Sequence, residues 1–151
     1  MELVLIRHGE AQPAIAANDV KRPLTPRGHE QAEQTAQFVK DKIQPDIFVV
    51  SPLLRAQETL QHIQAYFPQV EILICDRIKP DDDPNDAIEW LSQLPHQHVV
   101  VVCHMNVIAG IAQQLTLETY QGFQLAEARV YEQAVIANGL STEITRFSPQ
   151  I

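Results

Sequence analysis

Four short apolar runs recur along this chain with helix-length stretches between them, and that spacing is its strongest constraint. "ELVLI" at 2–6 has no polar alternation, the pattern of a strand covered on both faces. "PDIFVV" at 45–50, "VEILIC" at 70–75 and "HVVVVC" at 98–103 also read as buried strands, the last being the most hydrophobic. Residues 10–24 read as loop. The next stretch, "PLTPRGHEQAEQTAQFVKDK", begins a helix, with Thr25 as N-cap and Pro26 at the first helical position. Ser51 and Pro52 repeat that start, which predicts a helix through about Tyr66. An acidic loop, "DDDPND", leads to a helix near 85–93, and a fourth helix is expected from about Asn106 to Leu115. "ARVYEQAVIAN" and "STEITRF" alternate around "NGL", which predicts a terminal hairpin or edge strands. The expected fold is α/β: a three-layer sandwich with a largely parallel central sheet flanked by helices, closed by C-terminal antiparallel edge strands. One domain over residues 1–151 accommodates it, a length sufficient for a proper core.

Composition narrows the possible partners. The formal charge of −8 argues against nucleic acid and anionic membrane, so a bound anion must be gathered by a local basic cluster. Cys75 and Cys103 lie far apart and form no Cys-x-x-Cys pair, which suits a reduced chain. No basic-led apolar leader and no membrane-length window occurs, so a cytoplasmic location is expected.

Ligands of open α/β sheets gather at the carboxyl ends of the parallel strands. Here the first strand ends in Arg7-His8-Gly9, the second in Ser51-Pro52-Leu53-Leu54-Arg55 and the fourth in Cys103-His104. Two of these ends run into helix N-termini, whose free N–H groups favour anions. The planar fork of arginine matches phosphate oxygens, and a histidine beside it is a candidate nucleophile. Each residue has a plainer reading. His8 would bond to backbone at a strand end, Arg55 would pair with Glu58 on its helix, His104 would cap the next helix, and Arg22 would be a solvated loop cation. Those four readings leave unexplained why cationic groups meet at one edge.

Other chemistries fit poorly. "HGE" lacks the Pro-Cys-x-x-Cys of a zinc deaminase, and no P-loop occurs. Neither cysteine has an arginine six residues later, so a cysteine phosphatase loop is absent. A metal on His8 and His104 would be repelled by the two arginines; no metal and no cofactor are expected.

"LIRHGEA", followed in order by "RPLTPRG", "SPLLRAQET" and "VVCH", resembles the histidine phosphatase (phosphoglycerate mutase-like) superfamily, and in detail its small SixA-type phosphohistidine phosphatases. The resemblance covers nearly the whole chain. It implies that His8 is the phosphorylated nucleophile, that Arg7, Arg55 and His104 hold the phosphate, and that Arg22 is a further arginine near the pocket. Neighbouring strand residues face opposite sides, so Arg7 and His8 converge only where the strand breaks, and Gly9 is expected to permit that turn. Nearby guanidiniums disfavour protonation of His8 and neutralise phosphoryl oxygens during transfer.

Larger members of that family carry an insertion after the second helix, with a glutamate that donates a proton. Here roughly a dozen residues join that helix to strand three, and no position matches the donor; Glu58, Asp81 and Asp82 are candidates by proximity alone. An open pocket and a good leaving group are therefore expected. Phosphohistidine on a protein, such as a histidine phosphotransfer domain, fits both. The alternatives are a phosphatase or mutase for a small phosphate ester, and a non-catalytic phosphate- or phosphopeptide-binding module.

Overall fold

The structure is a computed structural model that describes residues 1–14 and 18–151. The part of the expected loop at 15–17 lies outside the described residues. Six strands form one sheet: β1 (Glu2–Arg7), β2 (Ile47–Val50), β3 (Ile72–Ile74), β4 (His98–Cys103), β5 (Ala128–Glu132) and β6 (Thr142–Phe147). Their order is β3-β2-β4-β1-β5-β6. The first four are parallel, while β5 and β6 add antiparallel to them. The C-terminal strands thus extend one side of the sheet as expected, with β6 at the edge and β5 interior, paired to β1 as well.

Alternate side chains divide between two apolar layers. Leu3, Leu5, Ile47, Val49, Val99, Val101 and Cys103 pack with residues of α3 (Pro84–Ser92) and α4 (Val107–Thr116). Val4, Ile6, Phe48, Val50, Val100 and Val102 pack with α1 (Pro26–Lys42) and α2 (Leu54–Gln64). Two covered faces explain why β1, β2 and β4 carry no polar alternation. The three-layer α/β sandwich expected from the sequence is the observed fold.

Side chains cap α1 and α3, whereas α2 and α4 follow Leu53 and Asn106 without a side-chain cap. Thr25 caps α1 by accepting from the Gly28 N–H at 2.9 Å, and Asp83 caps α3 by accepting from Asn85 N–H at 2.8 Å. Ser51 does not cap α2, which begins three residues later at Leu54. The Ser51 hydroxyl instead accepts from Leu53 N–H at 3.2 Å and faces His104. The connection from α2 to β3 spans only residues 65–71, shorter than expected. No helix among the described residues is long and apolar enough to cross a membrane.

Candidate active site

The β1–β4 register builds the site. Arg7 pairs with Cys103, and His8 N–H continues the ladder to Cys103 O at 3.1 Å, which sets His8 beside His104. The two imidazoles lie 5.1 Å apart between centroids, tilted by 55°. Both are buried, as is Arg55 at the start of α2. The guanidiniums of Arg55, Arg7 and Arg22 all act electrostatically on both imidazoles. The four residues expected at the pocket, and Arg22 with them, are therefore brought together.

His8 is held in one tautomer. Its Nδ1 lies 2.6 Å from Gly9 O, and a carbonyl only accepts, so Nδ1 carries the proton and Nε2 keeps a lone pair. Burial lowers the His8 pKa from 6.5 to about 4, with Arg55, Arg7 and Arg22 adding to that shift against the opposing Gly9 bond. His104 is lowered to about 2, first by burial, then by His8 and the same arginines. Both rings are neutral at physiological pH.

Gly9 serves a different purpose from the one expected. Its backbone is not in the left-handed region; instead, a Cβ there would lie 2.6 Å from Gly28 O. A Cβ on Gly28 would meet Glu10 O at 2.1 Å, so the two glycines let the segment after β1 press against the start of α1. Gly9 N–H donates to Thr59 Oγ1 at 3.1 Å, tying the same segment to α2.

Each arginine is oriented by backbone. Arg7 Nη1 donates to Phe123 O at 2.8 Å. Arg55 donates from Nη1 to Asp19 O at 2.8 Å and from Nη2 to Asp19 Oδ2 at 3.3 Å. Its partner is thus Asp19 of a 3-10 turn (Asp19–Lys21), rather than Glu58. Arg22 donates from Nε to Gln12 O at 2.6 Å and from Nη1 to Asp19 Oδ1 at 3.1 Å. Burial lowers the pKa of Arg7, partly offset by Glu127, and that of Arg55, partly offset by Asp19. After these bonds, Arg7 Nε, Arg55 Nε and His104 Nδ1 remain buried without a protein partner. Both arginine Nε–H groups can only donate, and no protein acceptor among the described residues meets them. A cleft of about 380 Å³ opens beside Arg7, lined also by Arg27, Gln31, the 122–125 segment, Pro149 and Ile151, and none of His8, Arg55 and His104 lines it.

At α4 the first N–H groups are already taken. Asn106 N–H and Val107 N–H, at the start of α4, both donate to Pro80 O at 3.1 Å. Of the proton-donor candidates, Glu58 accepts from Leu24 N–H at 2.7 Å, and Asp82 accepts from Lys79 N–H at 2.8 Å; Asp81 is exposed. Among the described residues no three His, Cys, Asp or Glu side chains gather to hold a metal ion.

Several supporting residues escaped sequence reasoning. Glu127 and Arg129 form a buried pair at 2.5 Å at the start of β5. Arg129 also donates to Gly122 O at 2.7 Å, and Glu127 accepts from Gln124 N–H at 2.8 Å. Together they hold the loop whose Phe123 carbonyl positions Arg7. Two charged residues two apart in a strand carry no distinctive signal. Ser51 stood in a motif, where a cap was the local reading, and Asp19 fell within the 10–24 stretch read as loop.

Comparison with known proteins places this architecture. Residues 3–79 match the model of the histidine phosphatase superfamily (branch 1). The phosphohistidine phosphatase SixA homolog of Haemophilus influenzae is 31% identical over 127 residues, covering 76% of this chain and 77% of that protein. Phosphohistidine phosphatase SixA of Escherichia coli is 28% identical over 122 residues, covering 76% and 74%. A solved protein histidine phosphatase SixA complexed with tungstate superposes with a TM-score of 0.84 at 24% identity, covering 98% of this chain and 97% of that one. The phosphoserine phosphatase of Entamoeba histolytica, with 3-phosphoglyceric acid, shares the fold at a TM-score of 0.71 and 20% identity, covering 99% and 98%. The chain belongs to the histidine phosphatase superfamily, among its SixA-type members. Its class of activity is that of a phosphatase.

Proposed function

We propose that this chain hydrolyses phosphohistidine on a protein through a covalent intermediate at His8 Nε2. The observation carrying this reading is the set of buried nitrogens without a protein partner, Arg7 Nε, Arg55 Nε and His104 Nδ1, gathered around a neutral imidazole from three separate strand ends.

In the first step the His8 Nε2 lone pair forms a bond to phosphorus while the bond from phosphorus to the substrate nitrogen breaks. The departing imidazole nitrogen takes a proton from solvent. Nδ1 keeps its proton throughout, and Gly9 O, accepting from it, stabilises the positive charge that develops on the ring. Arg7, Arg55 and His104 donate to the phosphoryl oxygens, where charge must be offset during transfer, with Arg22 adding its field nearby. In the second step water oxygen bonds to phosphorus, the Nε2–phosphorus bond breaks, a water proton leaves to solvent, and inorganic phosphate departs with His8 regenerated.

The leaving group decides the substrate class. Of the three carboxyls the sequence offered as donors, Glu58 and Asp82 are engaged with backbone N–H groups and Asp81 is exposed, so none of them is poised beside His8 to protonate an alkoxide. Imidazole departs with less help. The short 65–71 connection supplies little chain for a lid over a residue that stays attached to its domain. A phosphoprotein such as a histidine phosphotransfer domain suits both features, and the relatives' names, phosphohistidine phosphatase and protein histidine phosphatase, agree with a phosphohistidine substrate.

Quenching the protein during turnover of labelled phosphohistidine substrate tests the reading. The expected result is acid-labile, alkali-stable label that is absent in His8→Ala together with turnover. Retained activity in that variant overturns the mechanism. A higher kcat/KM for phosphoglycerate than for a phosphorylated histidine phosphotransfer protein overturns the substrate class.

A further inference from the structure

His104 must present a hydrogen, not a lone pair, to a phosphoryl oxygen, and the side chain that settles which it presents is Ser51. His104 Nε2 and Ser51 Oγ lie 2.7 Å apart, and both residues are buried. A neutral imidazole has one N–H, so this contact runs in one of two directions. The Ser51 hydroxyl already accepts from Leu53 N–H at 3.2 Å, and His104 Nε2 is the one acceptor within reach of its own hydrogen among the described residues. If Nε2–H donated instead, the hydroxyl hydrogen would be buried with no acceptor, at a cost comparable to a lost hydrogen bond. The Nδ1 lone pair would then face the anion, where it repels.

With Ser51 as donor, every group is used: Leu53 N–H to Oγ, Oγ–H to Nε2, and Nδ1–H left for the phosphoryl oxygen. We propose that Ser51 is a positioning residue that holds His104 in the Nδ1–H tautomer, making it a hydrogen-bond donor to the transferring phosphoryl group. This deepens the function proposed above and rests on His8 being the nucleophile and His104 a phosphoryl ligand.

The backbone explains why this serine can do so. Ser51 N–H donates to Val102 O at 3.2 Å, so the residue is locked to β4 just before His104 leaves that strand. Its hydroxyl also anchors the turn into α2 that delivers Arg55. One side chain therefore couples the orientation of His104 to the turn that carries a second phosphate ligand.

Long-range nitrogen–proton correlation NMR on histidine-labelled wild-type protein reads the tautomer without any turnover. The expected spectrum has a protonated-type Nδ1 and an unprotonated-type Nε2 for His104, assigned by its loss in His104→Gln. In Ser51→Ala the Nε2–H form should appear, and kcat should fall about 10-fold or more with a smaller change in KM, short of the 10²–10³ seen when an oxyanion donor is removed outright. Ser51→Thr, which keeps the hydroxyl, should restore the Nδ1–H signature. A wild-type His104 with Nε2 protonated overturns the proposal, whether or not Ser51→Ala folds. The two readings fail separately: that spectrum leaves the His8 phosphoenzyme intact, whereas absence of labelled His8 defeats the function while the tautomer stands.

Discussion

His8 Nδ1 donates to the carbonyl oxygen of Gly9, its own neighbour, at 2.6 Å. A nucleophile tethered by the residue that follows it cannot present the wrong nitrogen, because the ring would have to break a buried bond to turn over. Nε2 is left as the free lone pair beside Arg55 and Arg7, and the backbone that holds the tether is pinned by Thr59 Oγ1 and by close approach to α1.

That environment sets a pH dependence. The His8 pKa falls from 6.5 in the unfolded chain to about 4 in the folded one. Between those values the unfolded state binds a proton that the folded state refuses. Stability present above pH 6.5 is therefore lost as pH falls towards 4, by up to about 3 kcal/mol for this residue. Histidine NMR should show His8 titrating near 4, and His8→Ala should reduce the loss of stability between pH 7 and pH 4.5 in denaturant melts. An ordinary titration near 6.5, with the same slope in wild type and variant, contradicts the account.

Arg7→Ala and Arg55→Ala should each cost on the order of 2–4 kcal/mol of transition-state stabilisation, by analogy with lost oxyanion donors. Most of the loss belongs in kcat, with some in KM. Steady-state kinetics on para-nitrophenyl phosphate check it: a change confined to KM would mean equal binding of ground and transition states, contrary to the role assigned.

Gly9→Ala should damage both stability and turnover. Its Cβ would sit 2.6 Å from Gly28 O, which is backbone and cannot swing aside as a side chain would. Overpacking of this kind costs about 1–3 kcal/mol. The displaced segment carries His8, so kcat should fall with Tm. Unchanged Tm and kcat would show that the approach of the two glycines is not needed.

Exhaustive chelation should leave turnover unchanged, because the guanidiniums of Arg7 and Arg55 supply the charge that a metal would otherwise supply. Vanadate or tungstate should compete with substrate. Activity lost on chelation and recovered with zinc or magnesium would refute this.

Much of this architecture was legible from the chain alone. Buried strands announce themselves by apolar runs, and "HVVVVC" marked β4 to the residue; Thr25-Pro26 marked the start of α1 because capping is a local event. The cationic strand ends were visible for the same reason: position at the end of a strand follows from the strand. What the linear pattern could not carry is which groups meet across it. Arg55 could have paired with Glu58 one turn along its helix, yet a turn 36 residues earlier supplies both Asp19 acceptors. Ser51 looked like a cap, and only the juxtaposition of β2 with β4 turned its hydroxyl to His104. Gly9 looked like a flexible turn residue, and only the packing of α1 against it showed that the missing Cβ matters more than φ. The sequence by itself determined the strands, the helices and the charged residues waiting at one sheet edge, because these depend on neighbours in the chain. The tertiary structure decided the tautomers, the arginine partners and the close approaches, because hydrogen bonds and van der Waals contacts act over a few ångströms between residues that folding alone brings together.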